Sequence, residues 1–237
     1  LGDLPPVSLV VPNLNNRDGL EKTLHSIRGQ DFRNFELHVV DGASRDGSAD
    51  IFKNFSDIIS TTISEGDRGI FHAMNKGIDK CAGQYIFILP SGDILANSHV
   101  LSDFFSHSHQ EDILYGNLLL SYNAVPRSGK WTTDVSRFLV GKDCLHQQAS
   151  FVSRDVFKTH GLYDESLYLA EQVFYLGLAY FTEVTFKYLP YDVAIYNSTD
   201  TSFSVINADK CQKDLDDFVS MASFSSDQLA ALHRRWS

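Results

Sequence analysis

The sequence predicts an α/β fold with a mainly parallel central sheet flanked by helices and a smaller mixed C-terminal part. Three observations predict it. The first half alternates short apolar runs with helix-periodic segments, the pattern of βαβ units. Polar loops follow each apolar run, at the sheet edge where ligands of such folds sit. The second half loses that alternation and mixes strand-like and helix-like stretches.

The apolar runs Val7–Val11, Phe35–Val40, Ile58–Ile63 and Tyr85–Leu89 are the expected strands. Leu20, Leu24 and Ile27 recur at helical spacing and predict a helix from Asp18 to Gly29. Ile51, Phe52 and Phe55 mark a short helix, and Ile70, Met74 and Ile78 mark another. Beyond them, Asp112–Tyr122 and Trp131 predict a strand pair turning at Pro126 and Gly129, followed by a short strand at Ala149–Val152. Ser153–His160 reads as a capped helix ending at Gly161, and Glu165–Phe181 as a longer apolar helix. Asp209–Arg235 is expected to be an amphipathic helical region with a basic end.

Composition narrows the function. The chain has 237 residues, 43% of them hydrophobic, enough for one globular unit with its own core. Its net charge of −10 repels a polyphosphate backbone and argues against nucleic acid as a partner. Tyr85–Leu89, the longest apolar stretch, is far short of the roughly 20 residues a membrane-spanning helix needs. Cys81, Cys144 and Cys211 are odd in number and widely spaced, which suggests neither a disulfide framework nor a zinc site and points to a reducing, cytoplasmic setting. Leu1–Pro6 carry neither an initiator Met nor a leader pattern, so a trimmed chain is expected.

Three segments carry chemistry. Asp41-Gly42-Ala43-Ser44-Arg45-Asp46-Gly47 places carboxylates directly after the second strand, where one can accept hydrogen bonds from a base or ribose; a turn with a helix cap is the alternative. An EF-hand is excluded because Ala43 and Arg45 stand at ligand positions, and no G-x-G-x-x-G follows the first strand. The segment from Ser64 to Gly77 includes Asp67, a candidate helix cap, with Arg68 and Lys76 as donors suited to a diphosphate. Ser91-Gly92-Asp93 puts a carboxylate at the tip of the fourth strand, on the same edge as Asp41.

Together with the opening Val10-Val11-Pro12-Asn13-Leu14-Asn15, these segments resemble family 2 glycosyltransferases. The opening is similar to that family's P-T-Y-N, residues 40–47 to V-D-D/G-x-S-x-D-G, residues 67–77 to D-x-G-x-x-x-A-x-N-x-G, and Ser91-Gly92-Asp93 to D-x-D. His146-Gln147-Gln148-Ala149-Ser150-Phe151, Gly161-Leu162-Tyr163-Asp164-Glu165 and Ala170-Glu171-Gln172 resemble later stretches of bacterial members. The chain departs from the pattern at Ser91, where the family has its first acid, at His72, and at Gln172 beside the base position.

The resemblance implies the GT-A fold of nucleotide-diphospho-sugar transferases in a single domain over residues 1–237. Residues 7–110 would form the nucleotide-sugar half, 111–207 the acceptor and catalytic half, and 208–237 a helical tail. It implies an inverting transfer from a UDP-sugar to a saccharide or lipid-linked acceptor in cell-surface polysaccharide synthesis, with Glu171 as catalytic base. Asp93, helped by His146, would hold a divalent Mg²⁺ or Mn²⁺, although a histidine beside a short strand is as readily a core residue. Pro12, Asn13, Asn15, Asp41, Asp67, Arg68, Asn75, Lys76 and Gly92 would bind the donor. A second reading is a nucleotide-sugar-binding protein that has lost catalysis. A nucleotidyltransferase is disfavoured, because Pro12–Asn16 stand where its glycine-rich loop would be. The tail's apolar Phe218, Met221, Leu229, Leu232 and Trp236 with basic Lys210, Lys213, His233, Arg234 and Arg235 suggest peripheral contact with the inner face of a membrane, or else a helix packed on the core.

Overall fold

The structure is a computed structural model that describes residues 5–122, 125–139, 142–198 and 203–222. Among them, nine strands join one sheet that runs through both halves of the chain. In chain order the elements begin with β1 (Val7–Asn13), α1 (Arg17–Arg28), β2 (Phe35–Asp41), a 3-10 segment (Ser48–Phe55), β3 (Thr61–Ser64), α2 (Ile70–Ile78) and β4 (Tyr85–Ile88). There follow β5 (Ile94–Leu95), α3 (Val100–Phe105), β6 (Ile113–Tyr122), β7 (Val125–Trp131), α4 (Val135–Phe138), a 3-10 turn (Gln147–Ala149), β8 (Ser150–Ser153) and α5 (Arg154–His160). The last are α6 (Ala170–Phe181), β9 (Phe186–Ser198), α7 (Phe203–Ile206) and α8 (Ala208–Met221).

The sheet order is β3-β2-β1-β4-β8-β6-β9-β5, with β7 pairing β6 off this path. The first four strands are parallel, and β8 enters antiparallel to both β4 and β6. Burial of both faces explains why the parallel strands read as mostly apolar runs. Leu9, Val11, Val39 and Phe87 pack on one face with α1 and α3, while Val10, Val40, Ile86 and Ile88 pack on the other with α2 and α6.

Register matters more for the site than strand length does. Asn13 lies opposite Asp41, and Asp41 opposite Ser64, so three polar residues end three neighbouring strands side by side. Residues in register on parallel strands point to one face, which is why these side chains meet.

Several expected elements differ from those observed. The third strand starts at Thr61, because the amides of Ile58 and Ile59 both bond back to Phe55 O and close the preceding turn. The helix expected from Glu165 starts at Ala170: Asp164 Oδ1 accepts from the amide and hydroxyl of Ser166, and Asp214 Oδ2 accepts from the amides of Tyr168 and Leu169. Pro126 and Gly129, expected in a turn, lie in β7, and the connection at 123–124 is outside the described residues. Strand β9 has no counterpart among the expected elements. It runs parallel to β6 and shifts register around Gly116, where a Cβ would stand 2.6 Å from Tyr191 O.

No described helix is long and apolar enough to cross a membrane. Of the tail residues, Leu215 and Cys211 are buried and Phe218 stacks on Tyr180, so α8 packs on the core as the alternative to membrane contact expects. Met221 is exposed, while Leu229, Leu232, His233, Arg234, Arg235 and Trp236 lie outside the described residues.

Candidate active site

A cleft of about 600 Å³ opens at the carboxyl edge of β1 and β4. Pro12, Asn15, Gly92, Asp93, Gln148 and Glu171 are among the residues that line it. Helix α1 forms one wall. Its N-cap Asn16 accepts from Gly19 N through Oδ1 and donates through Nδ2 to Ser91 O at 2.8 Å, so one side chain starts the helix and holds the loop after β4.

Asp93 ends that loop and is buried. Its Oδ1 accepts from Asn197 N at 2.9 Å and its Oδ2 from Gln148 Nε2 at 3.2 Å. Burial pushes its carboxyl up to about 7 against the pull of these two bonds. It pairs with no cation among the described residues. Gly92, at φ +105°, sits in the left-handed region, where a side chain would be strained.

Glu171 enters the cleft from the first turn of α6. Burial raises its carboxyl to about 7, and Oε2 has no hydrogen-bond partner among the described residues. The adjacent Gln172 turns away from the cleft. Its Oε1 accepts from Leu145 N and its Nε2 donates to Leu145 O, locking the preceding loop to α6.

Most of the remaining expected donor residues lie off the cleft. Asp41 is fully buried, and its oxygens accept from Asn13 Nδ2, Ser44 N, Ser44 Oγ and Ser64 Oγ. Burial raises its pKa, but these hydrogen bonds outweigh it and hold the carboxylate below the usual range. Each of its two oxygens thus accepts two hydrogen bonds from protein groups at the ends of β1, β2 and β3. Asn13 keeps Oδ1 buried without a partner. Asn15, at φ +48°, accepts from Arg45 N and donates its own amide to Ser44 Oγ, fixing the loop above.

Asp67 accepts from Gly69 N, and its Oδ2 presses on Gly42, where a Cβ would be 2.4 Å away; the N-cap of α2 is Gly69 itself. Arg68 donates to Glu165 Oε2 at 2.6 Å. Asn75 donates to Tyr163 O and Glu165 Oε1 and accepts from Tyr163 N, and Lys76 reaches Glu65 and Gly66 at 3.4 Å. Arg68, Asn75 and Lys76 therefore tie loops together, and none of the three is among the residues that line the cleft. Lys22 is the basic residue among those lining the cleft, and composition alone gave no sign of it.

Among the described residues no group of three or more His, Cys, Asp or Glu could hold a metal ion. His146 is not a cleft residue; its ring meets Trp131 edge-on at 4.3 Å, Nε2 is buried without a partner, and burial pushes its pKa down to about 4. Asp93 does fit. A buried carboxylate with only neutral partners is a hard oxygen donor of the kind a divalent ion prefers.

The family profile for glycosyl transferase family 2 matches residues 8–124. A PGL/p-HBAD biosynthesis glycosyltransferase of Mycobacterium bovis is 30% identical over 166 residues, covering 68% of this chain and 64% of the relative. The matched chain thus spans under two thirds of that relative. An uncharacterized glycosyltransferase of Mycobacterium tuberculosis is 30% identical over 183 residues, 74% of this chain and 69% of its own length. The crystal structure of Staphylococcus aureus TarS 1–349 in complex with UDP superposes with a TM-score of 0.70 at 16% identity, covering 95% of this chain and 69% of that one. Its fold is the GT-A fold expected above. The profile match, these relatives and the shared fold place the chain in glycosyl transferase family 2.

Proposed function

We propose that this chain is an inverting glycosyltransferase that moves a sugar from a UDP-sugar to a saccharide or lipid-linked acceptor during synthesis of a cell-surface polysaccharide or glycolipid, on the cytoplasmic side of the membrane. One observation carries the reading. Two carboxyls, one on the buried Asp93 and one on the half-buried Glu171, whose Oε2 is buried, face a single cleft, and each is raised to about 7. The names of relatives, a PGL/p-HBAD biosynthesis glycosyltransferase and a putative teichuronic acid biosynthesis glycosyltransferase of Bacillus subtilis, support glycolipid or polysaccharide chemistry, and the UDP complex of TarS supports a uridine donor.

The division of labour follows from position. Glu171 Oε2 has no protein partner among the described residues, so it can take the proton of an acceptor hydroxyl. As that oxygen bonds to the anomeric carbon, the carbon–oxygen bond to the diphosphate breaks, and its electron pair leaves with UDP. Direct displacement inverts the anomeric centre. Asp93 would hold a Mg²⁺ or Mn²⁺ ion, whose charge offsets that of the departing diphosphate when bound. Lys22 adds a positive charge to a cleft that also carries Asp18.

Donor consumption by the purified chain, measured with Mn²⁺ across a panel of UDP- and GDP-sugars, tests the reading. Turnover of a UDP-sugar with formation of UDP is expected. Binding without turnover on any acceptor would favour the binding protein, and preference for a GDP-sugar would overturn the uridine assignment.

A further inference from the structure

One face of α1 carries Gly19, Thr23 and Ser26, in line with the N-cap Asn16 before it and Gln30 just past its C-cap, all spaced three and four residues apart. All but the glycine bond to the segment that follows β4. Asn16 holds Ser91 O at 2.8 Å, Ser26 Oγ accepts from Leu95 N at 3.2 Å, and Gln30 bonds Asn97 O and Leu101 N at 2.6 and 3.1 Å. Thr23 sits in the middle and is fully buried. Its hydroxyl accepts from Gly92 N at 3.0 Å and donates to Asp93 O at 2.7 Å, sharing that hydrogen with Gly19 O at 3.1 Å.

The two bonds bracket the peptide between Gly92 and Asp93. Gly92 stands at φ +105°, a conformation a glycine leaves easily, so the loop's own backbone does little to hold the carboxylate in place. A Thr hydroxyl in a helix ordinarily bonds only its own i−4 carbonyl. Here the shorter bond goes to a residue 70 positions away in sequence.

We propose that Thr23 is a positioning residue for Asp93: its hydroxyl fixes the backbone that aims the Asp93 carboxylate at the divalent ion. This rests on the function proposed above, because it presumes that Asp93 takes such an ion. Thr23 itself touches neither ion nor substrate.

Thr23→Val keeps the side chain's shape and removes both bonds, and Thr23→Ser keeps the hydroxyl. Two titrations on the intact chain separate the effects: Mn²⁺ into protein saturated with UDP, and UDP into protein in EDTA. Losing the bracket should weaken Mn²⁺ binding roughly tenfold in Thr23→Val, the equivalent of about one to two hydrogen bonds. UDP affinity in EDTA should stay within about twofold, and Thr23→Ser should match the parent in both titrations. Parental Mn²⁺ affinity in Thr23→Val, or an equal loss of metal-free UDP affinity, would overturn the assignment. If valine prevents folding, Thr23→Ala is judged by the same two titrations. A parent that binds UDP with no Mn²⁺ dependence would instead sink the metal role of Asp93, a failure visible before any variant is made.

Discussion

Gln148 Nε2 donates to Asp93 Oδ2 at 3.2 Å, so a side chain from the turn before β8 completes the surroundings of the carboxylate at the tip of β4. Both partners of Asp93 are donors, Gln148 Nε2 and Asn197 N. Asp93→Asn would turn an amide NH₂ toward one of them in either orientation. The variant should lose Mn²⁺-dependent UDP binding and also melt lower, by the order of 1–3 kcal/mol that an unsatisfied buried donor costs. Calorimetric titration and a thermal melt measure the two effects. Parental metal-dependent binding would remove Asp93 from the metal.

Glu171→Gln should separate activity from stability. An unfolded glutamate titrates near about 4.3, whereas folded Glu171 is raised to about 7. A carboxyl raised on folding favours the fold while it is protonated; that contribution is complete below about pH 4 and is lost as pH climbs through 7. The parent should lose on the order of 3 kcal/mol from this group across that window, and the glutamine variant should not. The melting temperature of the variant minus that of the parent should therefore grow between about pH 4.5 and 8. Turnover should fall on the order of 10²–10⁴-fold. A difference that stays flat with pH would show that Glu171 titrates normally.

Parental turnover should itself rise as pH approaches and passes about 7, because a base accepts a proton only when ionised. A rate profile on an identified donor and acceptor checks this. An acid limb near about pH 4 would point instead to a solvated carboxylate, with Asp164 and Glu165 the next to test.

Asn75→Ala should be a stability variant. Asn75 satisfies both the amide and the carbonyl of Tyr163 within the core. Removing it should cost on the order of 2 kcal/mol and lower the melting temperature by about 4–8 °C. UDP affinity in the folded variant should equal that of the parent, as titration would show; a selective loss of affinity would return Asn75 to the donor site.

Asp41→Asn should damage fold and binding together, since the carboxylate accepts four hydrogen bonds where β1, β2 and β3 end. Thermal melts and UDP titration should move in parallel. Weaker UDP binding at an unchanged melting temperature would mean that Asp41 reads the base directly.

The sequence made the parallel half of the sheet legible because burial on both faces writes mostly apolar runs such as Val7–Val11 and Phe35–Val40, broken only by Ser8, Glu36 and His38. Asp93 and Glu171 were legible through motif position. The direction of a side chain was not. Asn75 and Lys76 are polar residues beside a ligand edge, and polarity alone does not say whether they face a diphosphate or hold a neighbouring loop. For His146, likewise, nothing in the sequence says that its ring packs edge-on against Trp131 outside the cleft lining. Strand β9 escaped notice because Pro190 interrupts it and its pairing partner β6 is more than 70 residues earlier, beyond the reach of local periodicity.

That distant strand has a consequence for how the protein is made. Asn197, near the end of β9, supplies the amide bonded to Asp93, and β5, directly after Asp93, pairs with Ala194 and Ile195 of the same strand. A nascent chain emerging from the ribosome has Asp93 in water for the synthesis of about a hundred further residues, with its carboxyl ionised like any solvated aspartate. Only when β9 arrives can the loop close and the carboxylate be buried. The Asp93 end of the cleft is thus among the last parts of the molecule to mature, and a truncated product ending before β9 would carry the family's N-terminal motifs without a finished cleft.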